Sequence, residues 1–404
     1  MSSQEHSTSV AKRVVSVCAI VAGGALGATA VTGAVLAVIF ARTVVTPPRK
    51  RKENLRVLSH DETTITLAPS IDSMTSGFYS MWFAGDSGHA RIGEILTYSS
   101  FEVTRQLLGV DRGSLDGVTR ARIGGWFYLR PEDLGYEFID IDIETDLGPA
   151  PAWLIPSVTP SVRWVIGVHG RAVRREEALR AVPVFRDAGY TSLLVSYRND
   201  GDAPASADHR YSLGDTEWSD VDAALRYAID NGAQQVILMG WSMGGATVLQ
   251  VVTRSPLAGS VTGVVLESPV VDWFTALHFQ GMAHRLPRPV RLAMFSLLSQ
   301  KWARVLTGQA DPIDFGRLDL VSRAQELGLP VLVLHSVDDG YVPVTASRAL
   351  AAARPDIVTF EEFDTARHTR LWNYDPVRWS TAIRLWLESL PGPGLRRTSR
   401  ESGV

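Results

Sequence analysis

Ser242 stands inside Gly240-Trp241-Ser242-Met243-Gly244, a G-x-S-x-G pentapeptide, and its flanks bear on what the hydroxyl could do. Gln235–Met239 before it is short, apolar and partly β-branched; Gly245–Val252 after it is small and apolar enough for a buried helix. A serine on a tight strand-to-helix turn is a candidate nucleophile, with glycines where a Cβ would clash. The free N–H groups of the following helix then face developing negative charge. The plainer reading is a glycine-rich turn carrying an incidental serine. A hydroxyl needs a base, and the base an orienting acid. The polar loop Ser336–Pro343 offers two adjacent aspartates, Asp338 and Asp339, and His368 follows a later apolar stretch. That order is Ser, acid, His. The chemistry would be attack of Ser242 on a carbonyl, with His368 moving the proton and one aspartate orienting the ring. The other aspartate would cap a helix near Thr345 or shape the loop. His335 precedes the aspartates at a strand end and reads as structural.

These residues must be positioned by an alternation of strands and helices. Strand-length apolar runs occur at Val165–Val168, Ser192–Val195, Val236–Met239, Val261–Leu266, Val331–Leu334 and Ile357–Phe360. A helix opens near Asp215, with Trp218, Val221, Leu225 and Ala228 at helical spacing and acidic residues in its first turn. The last helix spans Asp375 to Leu390, with Val377, Ile383, Leu385 and Trp386 expected against the sheet. Alternation of this kind predicts a parallel α/β sheet, whose ligand sites lie beyond the carboxyl ends of its strands. Serine, acid and histidine all fall at such ends.

From about Phe138 to Leu390 the chain resembles the α/β-hydrolase superfamily, in its serine-hydrolase branch. The stretch from Tyr197-Arg198-Asn199-Asp200-Gly201 to Gly240–Gly245 is similar to bacterial hydrolases of the prolyl-oligopeptidase and dienelactone-hydrolase groups. The resemblance implies an α/β-hydrolase fold with a mostly parallel eight-stranded sheet, and ester, thioester or amide cleavage without a cofactor or metal. It favours Asp339 over Asp338, at the acid position of His335-x-x-x-Asp339-x-x-Val342-Pro343. It also implies an oxyanion hole from the backbone N–H of Met243 and of Arg171, which follows the His169-Gly170 turn. The side chains of Arg171, Arg174 and Arg175 would then be free to contact an anionic substrate group, or would simply be solvated. About a hundred residues upstream are too few for a propeller, which counts against an oligopeptidase. The expected activity is hydrolysis of a small-molecule or lipid ester; an acyltransferase with the same triad and a non-catalytic binding protein are the alternatives.

The remaining segments are read by composition and pattern. Between Asp272 and Leu318, Trp273, Phe274, Phe279, Phe295 and Trp302 sit in a helical pattern where many hydrolases insert a cap, so a cap is expected over about 272–318. Val14 to Phe40 carries no charge and is long enough for about 30 Å of hydrocarbon. It reads as a membrane-spanning helix over 14–41, after a tail at 1–13 and before a basic linker at 42–54. The heavier basic flank, Arg42 and Arg49–Lys52, places the catalytic part on the cytoplasmic side. Residues 55–137 read as a β-rich accessory region, with strands expected at Ile65–Leu67, Gly77–Ala84, Ala90–Leu96, Val103–Leu107 and Trp126–Leu129. The hydrolase domain is expected over 138–392 and a flexible tail over 393–404. A formal net charge of −3 gives no reason to expect nucleic acid, and a single cysteine, Cys18, excludes an intramolecular disulfide. Oligomeric state has no sequence signal.

Overall fold

A computed structural model describes residues 31–48 and 51–390. Two β units follow one another. The first contains β1 (Leu55–His60), β2 (Thr64–Leu67), β3 (Tyr79–Phe83), β4 (Gly88–Tyr98), β5 (Val103–Arg112) and β6 (Arg120–Gly124). The second contains β7 (Ile139–Thr145), β8 (Gly148–Ile155), β9 (Arg163–Val168), β10 (Thr191–Val195), β11 (Gln235–Trp241), β12 (Val261–Glu267), β13 (Val331–Ser336) and β14 (Val358–Phe363).

The second unit is an eight-stranded sheet in the order β14-β13-β12-β11-β9-β10-β8-β7. The six strands from β14 to β10 pair in parallel, each at a position where an apolar run was expected. The β7–β8 hairpin pairs antiparallel and joins β10 antiparallel, so the sheet is mixed. Helices Trp218–Asp230, Met243–Arg254 and Pro376–Ser389 flank it, and apolar clusters fill both faces. The last helix buries Trp379, Ile383 and Trp386, while Val377 and Leu385 are exposed. That corrects two of the four residues expected against the sheet, because only 379, 383 and 386 share one helical face.

The first unit is a closed antiparallel barrel, β1-β2-β5-β4-β3-β6. Closure satisfies the edge strands that a small open sheet would leave exposed. Its core includes Ile65, Tyr79, Met81, Phe83, Ile92 and Ile123. Buried Arg105 is satisfied by the carbonyls of Gly93, Ser73, Thr75 and Gly77. The strand expected at Trp126–Leu129 is absent; Phe127 instead packs with Phe78, Tyr128 and Trp372 where the barrel meets the hydrolase sheet. Asn373 sews the two units together. Its amide donates to the carbonyls of Phe78 (2.7 Å) and Gly125 (3.1 Å), and its own carbonyl accepts from the Phe78 N–H at 2.8 Å. Gly77, at φ 108°, permits this approach: a Cβ there would lie 2.1 Å from the Asn373 carbonyl oxygen.

The expected membrane-spanning helix with a cytoplasmic catalytic part is corrected. Among the described residues no helix is long and apolar enough to cross a membrane. Residues 1–30, which hold the tail, Cys18 and the first part of the apolar stretch, lie outside the described residues, as does the tail at 391–404. The described part, 31–45, is a helix packed on the protein itself. Ala37, Ala41, Val44 and Val45 are buried in the same cluster as the sheet, and Val31, Val35 and Ile39 stand exposed. An apolar run serves a docked helix as well as a lipid-facing one. Its carboxyl end is tied down: Arg171 donates to the carbonyls of Thr43 (2.7 Å), Val44 (3.0 Å) and Thr46 (3.0 Å), and the Tyr211 N–H donates to Val45 at 2.8 Å.

Candidate active site

The turn carrying Ser242 is built by β11 and the helix Met243–Arg254 that starts immediately after it. Ser242 has φ 51° and ψ −114°, a conformation that costs strain and lifts the side chain off the strand. Both flanking glycines are required sterically. A Cβ on Gly240 would lie 2.5 Å from the Gly244 carbonyl oxygen, and one on Gly244 would lie 2.2 Å from that of Val168. The main chain holds the turn on both sides, since Ser242 donates to the Glu267 carbonyl at 3.0 Å and accepts from the Val270 N–H at 3.1 Å. Beneath it the buried Glu267 carboxylate accepts from the indoles of Trp241 (2.8 Å) and Trp379 (2.9 Å).

Asp339 and His368 reach this turn from the ends of β13 and β14. His368 Nε2 lies 3.0 Å from Ser242 Oγ, and His368 Nδ1 lies 2.7 Å from Asp339 Oδ2. With Nδ1 donating to the carboxylate, Nε2 is left to accept the serine proton. The second oxygen of Asp339 accepts from the N–H groups of Tyr341 (2.8 Å) and Val342 (2.9 Å). Burial pushes this carboxyl up in proton affinity, but the charge of His368 and hydrogen bonds from His335 and His368 outweigh it and hold Asp339 well below the usual carboxylate range. Asp338 points elsewhere, accepting from Ser336 Oγ (2.7 Å) and the Arg367 N–H (2.9 Å). His335 is fully buried against Ser347 Oγ at 2.8 Å and the Val342 carbonyl at 3.0 Å.

The His169-Gly170-Arg171 turn abuts the serine: a Cβ on Gly170 would lie 3.3 Å from Ser242 Cβ. Its neighbours are fixed by buried acids. The Gly170 N–H donates to Glu177 at 2.7 Å, and the Ala172 N–H donates to Asp200 at 3.2 Å. Among the described residues, the N–H groups of Arg171 and Met243 hold no partner. Of the arginines in and after this turn, two have side chains held by protein partners. Arg171 is committed to the carboxyl end of the helix 31–45 and lies over the Tyr211 ring. Arg175 lies over Trp153 and bonds Ser196. Burial lowers the proton affinity of the Arg171 guanidinium, with Tyr211 and Asp200 opposing.

A cavity of about 640 Å³ opens beside Ser242 and His368. Phe40 and Val44 of the helix 31–45, Trp273 and Leu277 of the helix Trp273–Ala283, and Arg122 of β6 are among its walls. Of the segment 272–318, the helix Trp273–Ala283 lines the cavity through Trp273, Leu277 and Gln280. The barrel and N-terminal residues were missed by sequence reasoning. Arg122 carries no local signal, and the only signal at Phe40 was an apolar run with two readings. Among the described residues no group of three or more His, Cys, Asp or Glu side chains could hold a metal ion.

The chain is similar to known proteins in family and fold. The pattern described as "Alpha/beta hydrolase family" matches residues 165–382, just over half the chain, and a domain of unknown function matches residues 56–124. An uncharacterised Escherichia coli protein, YfhR, is 27% identical over 127 residues, which are 30% of this chain and 44% of YfhR. The chain therefore spans less than half of that relative. The solved structure of the Pyrococcus furiosus esterase Pf2001 superposes with a TM-score of 0.51 at 19% identity, covering 66% of this chain and 97% of Pf2001. At that identity the likeness is one of fold.

Proposed function

Because the chain belongs to the α/β-hydrolase family, we propose that it is a serine hydrolase that cleaves a carboxylic ester through Ser242, His368 and Asp339. The observation that carries this reading is the continuous hydrogen-bonded line from Ser242 Oγ through the His368 ring to Asp339, at 3.0 and 2.7 Å. His368 takes the serine proton as Oγ attacks the carbonyl carbon. The N–H groups of Met243 and Arg171 receive the negative charge that builds on the carbonyl oxygen. Collapse of the tetrahedral adduct expels the alcohol, protonated by His368, and leaves an acyl-serine. Water, deprotonated by His368, then releases the acid and regenerates Ser242. Asp339 keeps the proton on Nδ1 and stabilises the imidazolium. Its held-down proton affinity suits that role, because it stays ionised throughout.

In this reading the hydrolase part occupies 138–392, and the accessory unit of 55–137 closes one side of the cavity. On the stretch Tyr197–Gly245 we group the chain with the dienelactone-hydrolase-like bacterial enzymes, a small barrel standing where an oligopeptidase has a propeller. The test is hydrolysis of para-nitrophenyl butyrate by the full chain and by Ser242→Ala. Loss of the serine should remove about 10⁶ in kcat, as in other triads. Undiminished turnover in the alanine variant would refute the assignment.

A further inference from the structure

The walls of the catalytic cavity divide by chemistry. Phe40, Val44, Val270, Trp273 and Leu277 are apolar. Arg51 and Lys52, which precede β1, Arg122 of β6, Arg370, two residues after His368, and Arg171, whose guanidinium is committed to the carboxyl end of the helix 31–45, are cationic. Asp72 is the one carboxylate lining this cavity among the described residues, and it is already bonded to Arg370 at 2.7 Å. Arg122, only 8% exposed, is held by Asp86 through Nε at 2.9 Å and lies over the Trp82 ring. Arg51 lies over Trp126 and donates to the Ala172 carbonyl. Lys52 is exposed and makes no hydrogen bond among the described residues. Nearby Glu53 does not line the cavity; its carboxylate accepts from the Gly85 N–H at 2.6 Å.

Five cations thus line the cavity, four of them besides the committed Arg171, and the carboxylates that meet these four, Asp72 in the wall and Asp86 behind Arg122, are both already bonded. The remaining charge is not relaxed by distance. Burial first, then repulsion from Arg51 and Arg370, lowers the proton affinity of Arg122 to about 10, against the opposing pull of Asp86. Each guanidinium is fixed by an aromatic face, a carboxylate or a carbonyl. Arg122 Nη1 and Arg51 Nη1 are left without a hydrogen bond among the described residues. A rigid, partly desolvated cluster of like charges with spare donors costs free energy that an anion would recover. The side chains come from three separate segments, two of them outside the hydrolase sheet, and converge on the cavity that holds Ser242.

We propose that Arg51, Lys52, Arg122 and Arg370 form a subsite for an anionic oxyacid group, so that the substrate is an ester with an apolar portion and a carboxylate or phosphate-like charge. This rests on the esterase reading of Ser242 and names the substrate class for that site. Neutral esters would fill the apolar walls alone, whereas charged ones would also gain charge-assisted hydrogen bonds.

The experiment compares three esters on the full chain: mono-para-nitrophenyl glutarate, its methyl-capped diester, and para-nitrophenyl phosphonobutyrate. The charged esters should exceed the capped one in kcat/KM by roughly ten- to hundredfold, the worth of one or two charge-assisted hydrogen bonds. The glutarate and phosphonate arms tell a carboxylate from a phosphate-like group. The charged-to-capped ratio should fall in Arg122→Gln and in the exposed Lys52→Gln, and should shrink as salt is raised. An equal or better capped ester on the unaltered chain, or a ratio untouched by both substitutions, overturns the subsite. If no ester is turned over, the reading of Ser242 fails instead. Calorimetric titration of glutarate monoester and capped diester into Ser242→Ala then still decides: tighter binding of the charged ester keeps the subsite, and equal binding removes it.

Discussion

Ser242 and Arg122 line one cavity and are held there in different ways. On the hydrolase side the reacting groups are fixed by main chain. Ser242 sits in a strained turn clamped by Glu267 and Val270, and Asp339 is gripped by two consecutive N–H groups. On the barrel side Arg122 and Asp72 are fixed by side-chain partners, Asp86 and Arg370. Main-chain clamps hold atoms to a small tolerance and survive most substitution around them. Ion pairs on a strand face can be exchanged without rebuilding the fold. On the reading proposed above, the bond-breaking step belongs to the carboxyl edge of the sheet and the choice of substrate to the barrel and the cationic wall.

The largest expected effect breaks the hydrolase side alone. Asp339→Asn should lower kcat by about 10⁴, because an amide leaves the imidazole in the wrong tautomer. Asp338→Asn should cost far less, since Asp338 bonds Ser336 and Arg367 and not His368. Steady-state kinetics on the two variants checks this, and a greater loss at Asp338 would reverse the assignment. The joint between the two sides comes next. Gly77→Ala puts a Cβ against the Asn373 carbonyl at a left-handed φ. It should destabilise by about 2 kcal/mol or more and lower Tm by several degrees. An unchanged melting curve would mean that the barrel does not dock as described.

A smaller effect should appear in the pH dependence of stability. Burial raises Asp200 to about 7, against hydrogen bonds from Tyr211 and Ala172 and the charge of Arg171. Between the ordinary value of 3.8 and about 7 the folded chain keeps a proton that the unfolded chain has released. The stability this group contributes is therefore full below the unfolded value and is lost as pH rises through that window. Asp200→Asn should flatten this decline in Tm measured from pH 4 to 8. An identical slope would show that Asp200 does not titrate there. Asp339 runs the other way, its contribution being lost only as pH falls below the usual carboxylate range.

Local signals made the sheet and the serine turn readable. Gly240 is dictated by contact with Gly244 within the motif itself, whereas Gly244 is dictated by the distant carbonyl of Val168 and was legible only as part of the G-x-S-x-G pattern; the six parallel strands are apolar runs. The β7–β8 hairpin was missed although β7 alternates Asp140, Asp142 and Glu144 with isoleucines, which is a strand signal of period two, because the strand expectations rested on continuous apolar runs and β8 carries Pro149 and Pro151. In the barrel, β1 and β6 carry Arg56, Arg120 and Arg122, and closure depends on pairing strands more than fifty residues apart. The helix 31–45 shows the limit most clearly. Its valines and alanines have the composition of a lipid-facing run, and only the partner surface reveals that Ala37, Ala41 and Val44 meet protein. Arg171 likewise stood at a readable backbone position, but its side chain was claimed by carbonyls 125 to 128 residues away.

The central claim is that Ser242 is the nucleophile, and covalent mapping addresses it most directly. The full chain is treated with a fluorophosphonate, digested and sequenced by mass spectrometry, alongside Ser242→Ala. One adduct is expected, on Ser242, forming in step with loss of ester hydrolysis and missing from the alanine variant. An adduct on another residue that tracks the loss of activity, or full hydrolysis in a chain labelled at Ser242, would contradict it.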